Sequence, residues 1–223
     1  MGNSKNTSKF YLFKLSVPIF FSNVAIPMVG LIDTGLMGHL NNEKFLAAIS
    51  IATSVITMIF WSFGFLRMGT VGLVSQELGR NNYNEIILVF IRSLILASFI
   101  GLAIIFFKEP IILLVDHFFK NSEETQSLIN GYISIRILSA PAELIIYVLA
   151  GLYLGLQKTF ISSLMISIFC LGNIILSLVL VIHYDLEIFG VAAGTAIAAY
   201  ITVIIFLIFS YFQLKNKLTI SIT

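Results

Sequence analysis

The chain has 223 residues, of which 58% are hydrophobic, 11% are charged and 20 are Phe. Soluble globular chains carry about 25% charged residues, so this sequence cannot cover a water-exposed surface and is predicted to reside in membrane lipid. The same composition excludes an intrinsically disordered chain, a nucleic-acid-binding protein and a disulfide-stabilised secreted domain. The net charge is only +2, but its distribution along the chain is informative.

Six apolar stretches are long enough to cross the ~30 Å hydrocarbon core as α-helices. They are continuous rather than alternating, which favours helices over the strands of a membrane barrel. The glycines at positions 64, 69 and 72 are interpreted as the end of the second stretch. The sequence therefore predicts an all-α integral membrane protein, a bundle of six transmembrane helices. The six stretches are Phe10 to Gly38, Phe45 to Leu66, Ile86 to Phe107, Leu128 to Leu156, Phe160 to Ile182 and Ile188 to Phe212.

Lysine and arginine concentrate on one side of the predicted spans, which orients the chain because cytoplasmic loops are enriched in both residues. The other side is acidic, and its basic residues are Lys44, Lys108 and Lys120. We therefore expect a multi-pass protein of the inner (plasma) membrane with both termini in the cytoplasm. The basic residues assigned to the cytoplasmic side are Lys5, Lys9, Lys14, Arg67, Arg80, Lys158, Lys215 and Lys217.

The sequence has no motif of covalent or nucleotide-driven chemistry, neither a phosphate-binding loop nor a nucleophile elbow. His39, His117 and His183 have no partner at metal-ligand spacing and are interpreted as solvated residues near the membrane interface. Cys170, the single cysteine, is interpreted as a small core residue of the fifth span. The chain is therefore not expected to be an enzyme, and we expect neither a metal nor an organic cofactor.

Ionisable side chains inside spans usually face a bundle interior or a water-filled cavity. Asp33 lies in the first span, which also contains Pro18 and Pro27. Both prolines favour a kink, so this helix is a candidate moving part. The residues alone leave a second interpretation open, because a helix that starts near Leu15 leaves the outer leaflet about 20 residues later. On that interpretation, Asp33 is merely interfacial.

Arg136 and Glu143 lie in the fourth span, two helical turns apart, so they project from one face. Pro141 between them loosens that geometry. We interpret the two residues as an intramembrane ion pair or helix cap rather than as a substrate contact.

Small and uncharged polar residues in the last three spans indicate close helix packing. Gly151-x-x-x-Gly155 and Gly190-x-x-x-Gly194 place small residues where two helices can approach each other. Asn173, Ser177 and Thr195 in the fifth and sixth spans are candidates for hydrogen bonds between helices.

Four motifs, the third of them in two parts, carry a family resemblance by their order and spacing. They are Pro27-Met-Val-Gly-Leu-Ile-Asp-Thr-Gly-Leu-Met-Gly-His39, Phe63-Gly-Phe-Leu-Arg-Met-Gly-Thr70, Ile135-Arg-Ile-Leu-Ser-Ala-Pro-Ala142 with Gly151-Leu-Tyr-Leu-Gly-Leu-Gln157, and Gly190-Val-Ala-Ala-Gly-Thr195. Together they resemble the multidrug and toxic compound extrusion (MATE) family, and most closely its DNA-damage-inducible protein F branch. The resemblance extends from about Lys14 to Tyr211.

This resemblance implies one lobe of a twelve-helix transporter, in which two six-helix lobes enclose a central cavity. Only the amino-terminal lobe is matched. We accordingly divide the chain into a cytoplasmic segment (1–13), a membrane lobe (14–212) and a cytoplasmic tail or start of an inter-lobe linker (213–223). A second six-helix lobe, or a second copy of the chain, is the expected partner.

The resemblance also implies a secondary active antiporter that couples a cation, H⁺ or Na⁺, to the efflux of small amphipathic compounds, often cationic ones. It assigns ion coupling to Asp33, Asn173, Ser177 and Thr195, and the bend of the first helix to Pro18. Related members often carry aspartate at the position of Ser177, so one carboxylate is missing here. A carboxylate in a poorly hydrated cavity resists ionisation and can therefore alternate between protonated and charged forms.

Two other functions stay open from the sequence. The first is a flippase of lipid-linked oligosaccharides, whose cavity is expected to hold several Arg or Lys residues for a pyrophosphate headgroup. The second is a truncated remnant that folds but does not transport. The sequence does not indicate which compound is exported, or whether the coupling ion is H⁺ or Na⁺.

Overall fold

The computed structural model of the chain describes residues 20, 32–36, 38 and 43–221, without the side chains of 43 and 215–221. Pro18, the 1–13 segment and most of the first predicted span lie outside the described residues. Residues 32–36 are helical, and from residue 43 onward the described chain forms eight helices and no strand. These are α1 (Glu43–Ser62), α2 (Phe65–Gly79), α3 (Tyr83–Phe106), α4 (Lys108–Phe118), α5 (Glu123–Ile137), α6 (Ala140–Gly155), α7 (Thr159–Ile182) and α8 (Glu187–Ser221).

The all-α membrane class is confirmed. In the described part of the chain, four helical stretches are long and apolar enough to cross a membrane: Lys44–Gly79, Tyr83–Phe106, Thr159–Ile182 and Glu187–Leu214. Helices α5 and α6 meet at a bend of 50° and, taken together, are long and apolar enough to make a fifth span. Five of the six predicted spans therefore have a counterpart among the described residues.

The predicted end of the second span is wrong. Helix α2 continues past Leu66 to Gly79, so that Gly69 and Gly72 lie inside it and Arg67 is a helical residue rather than part of a loop. Together α1 and α2 make a 36-residue stretch, which at ~1.5 Å per residue is longer than the ~30 Å hydrocarbon core. Glycine costs only about 1 kcal/mol in a helix interior, and packing of α2 against α6 outweighs that cost.

Polar contacts join the helix ends that the sequence assigns to the outer side of the membrane. Asp116 of α4, a helix that the sequence did not predict, accepts hydrogen bonds from Gln126 (2.6 Å) and Asn130 (2.9 Å) of α5. An ion pair between Lys44 and Glu124 connects the start of α1 to the start of α5. These contacts attach the short α4 helix and the fourth span to the rest of the bundle.

Two turns at the opposite end of the bundle share one conformation. Asn81 after α2 and Gln157 after α6 have positive φ angles of 55° and 58°. In each turn the next backbone N–H donates to the carbonyl five residues earlier. This hydrogen-bond pattern terminates a helix without leaving its last carbonyls unpaired.

Helix α6 is the centre of the bundle, in contact with α2, α3, α7 and α8, and most of its residues are buried. Gly151 and Gly155 face α2 so closely that an added Cβ would lie 2.8 Å from the Cβ of Thr70 and 2.7 Å from that of Val74. The first glycine pair therefore packs two helices together, as predicted.

The second glycine pair packs α8 against α7 in the same way. A Cβ on Gly190 would lie 3.0 Å from Val181, and one on Gly194 would lie 2.7 Å from both the backbone nitrogen and the Oγ atom of Ser177. The packing role predicted for these glycines is also confirmed. Their close contact brings the polar residues of the fifth and sixth spans together.

Candidate functional site

A cavity of about 200 Å³ lies inside the bundle. Its walls come from segment 32–36 and from α1, α5, α6, α7 and α8. Aromatic side chains line one part of it, among them Phe60, Trp61 and Phe169. The polar lining combines two acidic side chains and one basic side chain with hydroxyl and amide groups, among them Asp33, Glu143, Arg136, Asn173, Thr195 and Tyr132.

Asp33 lies inside the bundle and not at its surface. Its side chain belongs to the helical segment 32–36, and the residue is only 6% exposed. The Oδ1 atom is buried and has no hydrogen-bond partner among the described residues. An ionised carboxylate is costly in such surroundings unless a cation or a donor compensates it. Asp33 is therefore enclosed by neighbouring helices rather than turned to the outside of the bundle.

Asn173 and Thr195 are joined across α7 and α8. Asn173 Nδ2 donates to Thr195 Oγ1 at 2.5 Å, and Thr195 Oγ1 donates to the Val191 carbonyl at 2.9 Å. The second atom of the amide, Asn173 Oδ1, is buried without a partner among the described residues. Among the described lining residues, two buried oxygens therefore have no hydrogen-bond partner, this one and Asp33 Oδ1.

Ser177 does not join this group. It lies one helical turn beyond Asn173 on α7 and is 2% exposed. Its Oγ atom lies against Gly194 of α8 and is not among the groups that line the described part of the cavity. Of the four residues assigned to ion coupling, Asp33, Asn173 and Thr195 line the cavity together, and Ser177 lies one helical turn from Asn173, outside the described lining.

Arg136 and Glu143 form an ion pair across the break between α5 and α6. Arg136 Nη1 donates to Glu143 Oε1 at 2.5 Å and to Ser139 Oγ at 2.8 Å. Ser139 Oγ also lies 2.9 Å from Glu143 Oε1. The Arg136 guanidinium lies 5.7 Å from the centre of the Phe60 ring, within the range of a cation–π contact. Both charged side chains are nearly buried, with 10% and 13% exposure.

The break itself is stabilised from two neighbouring helices. Tyr200 of α8 donates its hydroxyl proton to the Leu138 carbonyl at 2.8 Å, which satisfies a backbone acceptor that the bend leaves free. On the α3 side, Gly101 packs against the backbone of Pro141 with no room for a side chain between them. The bend is therefore a packed feature of the fold.

Two polar residues of this region were not identified from the sequence. Ser139 has a local signal, since a serine just before an Ala-Pro step is typical of a helix start. Tyr200 has none, because it lies 62 residues from its partner. Cys170, predicted to be a core residue, is buried and also lines the cavity.

Comparison with known proteins identifies the family to which the chain belongs. The family model described as MatE matches residues 18–182, which is most of the chain. The chain belongs to the MatE family. Among curated MatE relatives, DNA damage-inducible protein F of Escherichia coli (strain K12) is 34% identical over 87% of this chain and 42% of its own length. The multidrug export protein MepA of Staphylococcus aureus (strain N315) is 24% identical over 95% of this chain and 46% of its own length.

Solved structures share the same fold. A multidrug resistance MATE family transporter of the MOP superfamily, described in an outward-facing conformation, matches 88% of this chain and 43% of its own with a TM-score of 0.82. At 20% sequence identity this likeness concerns the fold alone. The chain spans less than half the length of the curated relatives it matches. Its described helices thus correspond to one lobe of a MatE transporter.

Proposed function

We propose that the chain is one lobe of a secondary active antiporter, which couples the uptake of a cation to the efflux of amphipathic compounds across the inner membrane. MatE membership supports transport, and the name of the staphylococcal relative supports multidrug export. The observation that carries the proposal is Asp33, a buried carboxyl group in the same cavity as Asn173 and Thr195. A carboxylate in this position can exchange a bound cation as the surrounding helices change their packing.

The described cavity does not favour the flippase alternative. A pyrophosphate headgroup requires several cationic side chains. Arg136 is the only cation among the described lining residues, and Glu143 already pairs with it. Efflux of an amphipathic compound is the better match to a cavity that combines aromatic rings with carboxylates.

We further propose that a second lobe completes the transporter. Alternating access requires two bundles that rock against each other around a shared site, and a single lobe forms only one wall of such a site. The chain alone, reconstituted as a monomer in liposomes, is therefore expected not to move substrate. Efflux should appear on co-reconstitution with a candidate carboxy-terminal lobe, or in a preparation shown to be a dimer. Robust efflux by a demonstrated monomer would contradict this arrangement.

The proposed orientation, with both termini in the cytoplasm, rests on the lysine and arginine distribution. Single cysteines can test it in a background where Cys170, which is buried, is replaced by Ala. A membrane-impermeant thiol reagent added to intact cells should label Asn121→Cys. It should not label Asn82→Cys or Lys215→Cys until the membrane is opened. Labelling of Lys215→Cys but not of Asn82→Cys in intact cells would require an odd number of spans between these two positions.

A further inference from the structure

Helix α3 turns an apolar face away from the other described helices. On its inner side it packs against α2 and α6. Large apolar side chains that no neighbouring helix covers are, in a membrane protein, typical of contact with lipid acyl chains. The outer face of α3 is therefore the lipid-facing surface of the third span. Its exposed apolar side chains include Leu88, Ile95, Leu96, Phe99, Leu102 and Phe106.

The outer side of α1 has a different character, which makes it the better surface for a second lobe. Its exposed residues include Ser50, Ser54 and Thr57. Small and polar side chains of this kind favour contact between helices within a membrane. The large apolar side chains of α3 favour lipid instead.

Two charged side chains interrupt the apolar face of α3. They are Glu85 and Arg92, the charged residues of this helix, which the structure describes completely. They lie seven residues apart, or two helical turns, and so share one face. Arg92 follows Tyr83, the first residue of the helix, by nine residues, which is about 13 Å along the axis. A charged side chain at this depth of a span is costly and usually functional.

The Arg92 side chain extends along α3 towards the turn between α2 and α3. Its Nη1 atom lies 3.3 Å from Glu85 Oε1, although the two Cα atoms are about 10 Å apart along the helix axis. The guanidinium therefore reaches towards the lipid headgroups while its stem lies along the acyl chains. The contact is long for a charge-assisted hydrogen bond, and the two side chains are 70% and 36% exposed. Both charges are thus accessible to a ligand from the lipid side.

The two charges are arranged in order of depth, and this order matches one class of headgroup. The positive Arg92 is the deeper residue, and the negative Glu85 is nearer to the helix end. In phosphatidylethanolamine the phosphate lies next to the acyl chains and the primary ammonium lies further out. Its phosphate can therefore accept from the guanidinium, and its ammonium can donate to the carboxylate.

The other common headgroups match this pair less well. Phosphatidylcholine carries a quaternary ammonium, which has no N–H to donate to Glu85. Phosphatidylglycerol has no positive charge, so its phosphate would lie near the Glu85 carboxylate without a compensating cation. Like charges at close range repel strongly where water is scarce.

We propose that Glu85 and Arg92 form a binding site for one phosphatidylethanolamine molecule in the leaflet beside the α2–α3 turn. Arg92 binds the phosphate, Glu85 binds the ammonium, and the acyl chains lie against Leu88 and Ile95. In the proposed orientation this is the cytoplasmic leaflet. The site lies on the outer surface of the lobe, apart from the cavity, and does not depend on the proposed function.

A tryptophan placed between the two charges can report which lipid occupies the site. Leu88 is exposed on the same face, between Glu85 and Arg92. Leu88→Trp is therefore introduced together with Trp61→Phe, which removes the single tryptophan of the chain. The purified chain is reconstituted in phosphatidylcholine bilayers to which one lipid with brominated acyl chains is added, and the bromines quench the fluorescence of a nearby tryptophan. The headgroup of the brominated lipid is ethanolamine, choline or glycerol.

Brominated phosphatidylethanolamine should quench this tryptophan at a mole fraction on the order of tenfold lower than the other two lipids, because only its headgroup can form charge-assisted hydrogen bonds with both side chains. A second reporter, Phe106→Trp in the same Trp61→Phe background, is the matched control. Phe106 is exposed at the opposite end of α3. Its replacement should be quenched equally by the three headgroups.

Variants of the pair separate the two contacts. Arg92→Gln should lose the preference for ethanolamine, and Glu85→Gln should lose the preference for ethanolamine over glycerol, because the repulsive carboxylate is gone. Glu85→Arg combined with Arg92→Glu keeps the net charge but reverses the order of depth, and should lose the preference completely. Arg80→Gln should retain it, since Arg80 is equally exposed but pairs with Glu77 before α3 begins.

Four results would overturn the proposal. Equal quenching of the Leu88→Trp reporter by the three headgroups would mean lipid contact without selection, and a preference for glycerol would mean a simple basic site. No quenching by any brominated lipid would mean that protein covers this face. Retention of the ethanolamine preference by the reversed pair would separate it from these two charges. Should the reversed pair fail to insert, Glu85→Gln combined with Arg92→Gln removes both charges and should also lose the preference.

Discussion

Asp33→Asn in the complete transporter should abolish gradient-driven efflux while the protein still inserts and folds. The amide keeps the size and the hydrogen-bonding capacity of the side chain but can no longer exchange a proton. On insertion scales the loss of a carboxylate within a span removes a cost of up to ~3 kcal/mol, so the variant is not expected to be less stable. Transport is read as substrate efflux from liposomes with an imposed pH gradient, and folding by size-exclusion profile.

Variants of two other buried carboxylates test whether the loss of efflux is specific to Asp33. Glu143→Gln should impair efflux less, because Arg136 can still donate to the amide oxygen. Glu77→Gln should leave efflux near the wild-type level, since Glu77 is as buried as Asp33 but pairs with Arg80 outside the cavity. Full activity of Asp33→Asn together with an inactive Glu143→Gln would move the coupling site to the fourth span.

Gly194→Ala should be the most destabilising single methyl addition among the glycines of α7 and α8. Its Cβ would lie 2.7 Å from Ser177 N and 2.9 Å from Ser177 Cα, and backbone atoms cannot rotate away. Overpacking of this kind costs about 1–3 kcal/mol. Gly172→Ala on α7 is the matched control, because its Cβ would meet only Ala198 at an ordinary 3.7 Å. Thermal unfolding in detergent, followed by circular dichroism, measures both variants.

The same substitution should also disturb the cavity. Gly194 precedes Thr195, whose Oγ1 accepts the hydrogen bond from Asn173. Separating α8 from α7 lengthens that bond and changes the surroundings of the cavity. We therefore expect Gly194→Ala to lower efflux beyond what its reduced amount of folded protein explains. A melting temperature equal to that of Gly172→Ala would mean that the two helices are not in close contact at this point.

The spans were predictable from the sequence because a continuous apolar run of about 20 residues has few alternatives in a membrane. The third and fifth spans have the predicted bounds to within three residues. The helical stretch of the second span extends beyond its glycines because tertiary packing of α2 against α6 counts for more than the weak helix propensity of glycine. Helix α4 has no counterpart among the predicted spans, because its 11 residues are too few to cross the bilayer.

The site was predictable only in part. The spacing of Arg136 and Glu143 predicts an ion pair, and the two side chains are in contact in the structure. The sequence could not show that a 50° break lies between them, because the contact of Tyr200 with Leu138 that stabilises the break joins residues far apart in the chain. The family resemblance gave Asp33, Asn173 and Thr195 a common role. It gave the same role to Ser177, whose contact with Gly194 depends on how two helices pack.

The most direct measurement of the central claim is substrate flux through the complete transporter under a pH gradient of either sign. Wild-type protein in liposomes is expected to move substrate against the direction of proton flow, to reverse when the gradient is reversed, and to stop when an ionophore removes the gradient. Asp33→Asn should respond to neither gradient. Substrate flux that keeps its direction and rate when the gradient is reversed would contradict a coupled antiporter built on Asp33.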